Sequence, residues 1–176
     1  MTNLERIQQV SQRLDWFVKS MLVIVPVTTF CYWMGFNYLP ASLAPTQTYG
    51  VSELAINNRL LLCLISLIPL SIVIWCLWTL HRLFTLFSNN VFYHADNVRL
   101  FKALGLGITA WVVVDFVFTP VQSVIMTMNQ PEGLRVVAVN FDLNDLVMLA
   151  AGAITMLIAW IVEEGRKIEE ENSHTI

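Results

Sequence analysis

Residues 60–80 read LLLCLISLIPLSIVIWCLWTL, with no charged side chain anywhere in the run. Crossing about 30 Å of hydrocarbon takes about 20 mostly apolar residues in a helix. Lipid offers no partner for a backbone N–H or C=O, so such a run must be helical to pair its own polar groups. Three more stretches meet the same length: Trp16 to Leu39, Ala103 to Met126 and Leu143 to Val162. The chain therefore reads as all-α, a four-helix transmembrane bundle forming one integral membrane domain over residues 1–176.

Composition agrees. Of 176 residues, 56% are hydrophobic and only 13% charged, against about 25% charged in soluble domains. The net charge of -3 argues against direct nucleic-acid binding, which needs a basic face. Cys31, Cys63 and Cys76 all lie in apolar runs, without CxxC or Cys/His metal spacing, so they read as small hydrophobes. Nothing indicates a Cys31–Cys63 bridge. Ser42-Leu43-Ala44 resembles a signal-peptidase site, but the apolar stretch before it is longer than a signal's core, so the first span reads as retained.

Lys and Arg counted near the span ends set the direction. Arg6, Arg13, Lys19, Arg82, Arg99, Lys102, Arg166 and Lys167 fall on one side, and Arg59 and Arg135 on the other. The first side is expected to be cytoplasmic, with both termini and the middle loop in the cytoplasm of a bacterial inner membrane. Trp16, Trp78 and Trp160 sit near that boundary and Trp33 near the outer one, where amphipathic rings prefer to lie.

The parts outside the bilayer carry weaker signals. Leu4, Ile7, Val10 and Leu14 recur at helical spacing behind a Thr2/Glu5 capping-box pattern, and read as an interfacial lead-in helix. Helix two is expected to run past the membrane through His81 to Phe87, turn at Ser88-Asn89-Asn90, and restart near His94 as a short cytoplasmic hairpin. The β-branched, partly alternating segment 133–143 suggests a short strand, paired with the first outer loop as a small extracytoplasmic β-hairpin. The tail after Val162 reads as helix four continuing into water, with Glu163 and Lys167 at i,i+4 spacing.

Two cytoplasmic stretches carry a resemblance. Asp96-Asn97-Val98-Arg99-Leu100-Phe101-Lys102-Ala103-Leu104-Gly105 is similar to a family pattern of an acidic residue, Asn-Val-Arg, and a glycine opening the third span. Glu164-Gly165-Arg166-Lys167-Ile168-Glu169-Glu170-Glu171-Asn172-Ser173-His174-Thr175-Ile176 resembles the same family's ending. The family is the bacterial four-helix membrane group known only as a domain of unknown function, number 2975. His94 departs from its usual Ser or Thr cap and His174 from its usual aliphatic residue. The first departure puts the capping geometry in doubt, since His is not a favoured N-cap. The resemblance brings no catalytic residues. It implies a membrane-bound regulatory protein with a cytoplasmic helix-turn-helix partner, because such regulators are often encoded beside relatives.

No metalloprotease, serine-hydrolase, phosphate-loop or dinucleotide motif occurs, so no enzyme activity, metal or cofactor is expected. The acidic residue deep in a span is Asp115. Counted from Ala103 at 1.5 Å per residue it lies about 18 Å in, near the midplane. An ionisable group there is a functional hypothesis by default. The bland alternative is an interhelical clasp with mid-span hydroxyls, Thr28 and Thr155 foremost, with Thr29, Ser66 and Ser71 also at that depth. Pro26, Pro69 and Pro120 inside spans would kink helices and open a cavity. Three function classes follow. The first is a regulatory or sensory protein docking a soluble partner through Arg82, Asp96, Asn97, Arg99 and Lys102 of the hairpin and Glu164, Glu169, Glu170, Glu171 and Asn172 of the tail. The second is a small transporter or channel-like protein centred on Asp115, and the third a structural subunit of a membrane complex.

Overall fold

The structure, a computed structural model, describes residues 3–40, 49–51, 53–89, 91 and 94–173, with the side chains of Asn3, Leu4, Glu169, Glu171, Asn172 and Ser173 outside the description. The Thr2 cap, residues 42–44, Asn90 and His174 therefore lie outside the described residues. Four long helices carry the chain: α1 Asn3–Met34, α2 Ile56–Ser88, α3 Ala95–Thr127 and α4 Leu143–Ser173. Each is long and apolar enough to cross a membrane, which makes this a multi-pass membrane protein. At 1.5 Å per residue they are about 45–50 Å long, so each also projects beyond the hydrocarbon.

The helices run through Pro26, Pro69 and Pro120 without ending. Neighbours in sequence pack side by side: α1 on α2, α2 on α3 and α3 on α4. Among the described residues α1 and α4 share no comparable seam, so the bundle stays open on that side. Closure is not required here, because lipid solvates an apolar helix face as well as another helix does. Side chains such as Val23, Leu64, Val113 and Trp160 accordingly point outward and are exposed.

Small residues set the closest seams. A Cβ on Gly105 would fall 3.0 Å from the Gly152 carbonyl oxygen, and one on Gly107 would fall 2.5 Å from Cys76 Sγ. Backbone approach of this kind is how membrane helices gain packing energy.

At the end opposite the termini, Trp33, Phe36, Val51, Leu54, Leu62 and Met126 form a buried apolar cluster. Polar groups tie it down. Trp33 Nε1 donates to Ser66 Oγ (2.8 Å). Asn37 accepts from the Leu54 N–H (2.9 Å) and donates to its carbonyl (3.2 Å), imitating a backbone pair. Arg59 donates to the carbonyl of Met34, at the end of α1 (2.8 Å), satisfying an acceptor the helix leaves open.

No strand occurs among the described residues. Residues 134–140 are extended but lie along α3, where hydroxyls take the place of a ladder. Val136 N–H donates to Thr127 Oγ1 (3.2 Å), which itself donates to the Val136 carbonyl (3.3 Å), and Ala138 N–H donates to Ser123 Oγ (2.9 Å). Ser123 and Thr127 are fully buried. The segment thus satisfies buried amides without the strand partner that the alternation of its side chains suggested. In the loop between α1 and α2, residues 41–48 and 52 lie outside the described residues.

Candidate functional site

Two regions answer to the sequence expectations, one at each end of the helices. At the end carrying the termini, α2 and α3 make the expected helical hairpin. Asn89 and Val91 N–H both donate to the Leu86 carbonyl (3.1 Å each), and Phe87 packs on Phe101 with ring centroids 6.3 Å apart. His94 does cap α3, contrary to the doubt raised by its identity. Its Nδ1 accepts from the Asp96 N–H (3.3 Å), so an imidazole lone pair does the work of the usual hydroxyl or carboxylate oxygen. Asn97 was expected on a docking face, yet it is fully buried. It donates to the Val91 carbonyl (2.8 Å) and holds the turn from inside.

Arg82 and Arg99 of the hairpin remain exposed and Asp96 half exposed. Arg99 is 82% exposed and Asp96 48%, with 4.0 Å between them. Arg82 lines a shallow cavity with His81, Thr85, Leu86 and Asp96. Lys102 bonds to Glu163 (2.7 Å) and thereby ties α3 to α4. Glu163 therefore does not take the expected i,i+4 partner; Lys167 pairs instead with Glu164 (3.2 Å), and Arg166 pairs with Glu170. The side chains of Glu169, Glu171 and Asn172 lie outside the described residues. Sequence reading missed one contact here: Asp15 of α1 bonds to His81 of α2 and to Lys19 (2.9 Å). Asp15 directly precedes the first span and His81 directly follows the second, so equal depth was the available signal.

The second region is Asp115. The hydroxyls expected to clasp it turn to their own helices instead. Thr28 donates to Ile24 and Val25 carbonyls (2.9 Å each), Thr29 to Val25 (2.9 Å), Ser71 to Ile68 (2.6 Å) and Thr155 to Ala151 (2.8 Å). Ser66 is taken by Trp33 and Leu62. The Asp115 carboxylate has no hydrogen-bond partner among the described residues. It does not stand midway along its neighbour either. Because the segment 128–142 doubles back along α3, α4 starts beside Asp115, and a cavity of about 250 Å³ there is lined by Asp115 and Thr119 of α3 and by Asn140, Asp142, Asn144 and Asp145 at the start of α4.

Local chemistry explains where α4 begins. Asp142 Oδ1 accepts from Asn144 N–H (2.8 Å) and Asp145 N–H (3.2 Å), while Asp142 N–H donates to Asp145 Oδ2 (2.9 Å). This is a reciprocal capping box, and acids suit the positive end of the helix dipole. The Asp-x-x-Asp spacing before an apolar run was the overlooked signal. Trp111 and Met148 complete the cavity wall. A carboxylate-lined cavity free of cationic side chains attracts cations.

Comparison with known proteins gives a family and no more. The family model described as "Protein of unknown function (DUF2975)" matches residues 21–176. No curated protein and no solved structure matches the chain.

Proposed function

Since the chain belongs to the family described as Protein of unknown function (DUF2975), we propose its role from geometry: a non-enzymatic regulatory or sensory protein of the bacterial inner membrane. Its termini end faces the cytoplasm and docks a soluble partner. The observation that supports this reading is the contrast within the α2–α3 hairpin. Asn97 is buried as the internal brace, while Arg99 and Asp96 project from the same turns, and Glu164 and Glu170 project from α4 alongside. Lys102–Glu163 holds the two halves together. A braced surface with charges of both signs suits electrostatic steering of a soluble protein. The helix-turn-helix partner rests on the family resemblance alone.

Photo-crosslinking amino acids at Arg99 and Glu164 in living cells test this, with Val113 as a lipid-facing control. The expected result is a discrete adduct with a soluble protein from the first two positions only. Adducts confined to lipid or to membrane chains would reject the docking reading, and so would tagged termini reachable only from outside the cell.

A second reading is favoured by the unpartnered Asp115 carboxylate in its cavity: a small transporter. Asp115→Asn should then abolish flux in proteoliposomes while the protein still folds. Equal flux in both forms would reject transport through this residue.

A further inference from the structure

Two cavities meet at Trp111 and Met148, which line both. One is the polar cavity at Asp115. The other, about 280 Å³, lies between α2, α3 and α4 and is walled by Val73, Cys76 and Leu80 on one side and Leu104 and Ile108 on the other. Leu104, Ile108, Trp111 and Asp115 follow one another at helical spacing along one face of α3, so the two cavities lie end to end, one acidic and one apolar. The apolar end extends from Val73 to Leu80, two helical turns or about 10 Å.

We infer that this cleft, apolar between α2 and α3 and acidic at Asp115, Asp142 and Asp145, binds an amphipathic organic monocation: a quaternary ammonium or protonated amine carrying a short apolar tail. The two ends together select that class. An anion meets three carboxylates and no Lys, Arg or His in the cavity wall. A bare metal ion leaves the apolar end unfilled, and among the described residues no group of three His, Cys, Asp or Glu side chains is placed to hold one. A neutral acyl chain fills the apolar end but offers nothing to the polar end, where Asp115, Thr119, Asn140, Asp142, Asn144 and Asp145 line the wall. Asp142 and Asp145 spend acceptor oxygens on capping α4, so Asp115 is the free counter-ion. Trp111 stands at the junction, where an aromatic ring suits a quaternary ammonium.

The inference rests on the second reading above only in bringing a ligand to Asp115: saturable binding without flux would keep the site and discard transport. It is independent of cytoplasmic docking.

Octyltrimethylammonium is the probe, with the full-length protein in zwitterionic lipid nanodiscs and binding followed by equilibrium dialysis against empty discs. Saturable binding is expected, weakened at least tenfold by Asp115→Asn and by Ile108→Trp, which plugs the apolar end. Tetramethylammonium, the head without a tail, should bind at least tenfold more weakly, and octyl sulfate should not saturate. Unchanged affinity in both variants, or equal binding of octyl sulfate, overturns the site. Should a variant not fold, a tail-length series on the unaltered protein decides. Affinity should climb by about fourfold per methylene and then level off once the tail fills the cleft. A climb with no plateau, as in plain partitioning into lipid, overturns the inference.

Discussion

Alanine at Gly105 should loosen the α3–α4 seam. An added Cβ would fall 2.8 Å from Met156 Cγ, 3.0 Å from the Gly152 carbonyl oxygen and 3.2 Å from the Met156 nitrogen. The Met156 side chain can swing aside. The other two atoms are helix backbone and cannot, so the helices must part by several tenths of an ångström. Overpacking of this kind costs about 1–3 kcal/mol. Alanine also favours helix over glycine by about 1 kcal/mol in water, but a separated helix stays helical in a bilayer, so little of that returns. The net expectation is a loss of about 1–2 kcal/mol, larger for Gly105→Leu. Gly152→Ala strikes the same seam, its Cβ 2.7 Å from Thr109 Oγ1. Once one variant has parted the helices, the second should cost less, so the pair should be sub-additive. Unfolding in mixed micelles titrated with SDS, followed by tryptophan fluorescence and extrapolated linearly, measures all three. A Gly105→Leu midpoint equal to or above that of the unaltered protein would refute the close seam.

Trp33→Phe keeps the ring but loses the 2.8 Å bond to Ser66; about 0.6–1.7 kcal/mol should go in the same titration, and no change would mean the bond is idle. Asn97→Ala strips the brace of the hairpin turn and should cost about 1–3 kcal/mol, with faster hydrogen exchange at the Asn89 and Val91 amides. Exchange that stays slow there would place the brace elsewhere. Ser123→Ala with Thr127→Val removes the oxygens that pair the Ala138 and Val136 amides; those two amides should lose protection while the mid-helix amides of α3 keep theirs, and unaltered protection would show another partner. Lys102→Met should leave the midpoint of the same titration nearly unchanged, since the pair with Glu163 is half exposed and screened; a fall as large as that of Gly105→Ala would show that the ion pair matters to the fold.

The spans were legible because the bilayer imposes a length rule that needs no tertiary information: run 60–80 contains no charge and lies entirely within α2. The hairpin was legible for a similar reason, since turn residues and capping chemistry act over a few positions. Its His94 cap shows the limit of propensity. A residue of low average preference still caps when one lone pair reaches an open N–H. Segment 134–140 shows another limit. Its alternation was real, but what pairs its backbone was decided by Ser123 and Thr127, whose hydroxyls no strand pattern would nominate.

The candidate site divides the same way. Composition and spacing alone determined that Asp115 is an acid inside an apolar span, that four stretches are long and apolar enough to cross a membrane, and that cationic residues gather at one set of span ends, because each is a property of one segment and its solvent. Only the tertiary structure decided that α4 begins beside Asp115, that Thr28 and Thr155 turn to their own helices, that Glu163 reaches Lys102 rather than Lys167, and that Trp111 and Met148 line both an apolar and an acidic cavity. These depend on how far one helix slides past the next. That register is set by glycine seams and by the path of a loop, through small differences in contact energy spread over many residues.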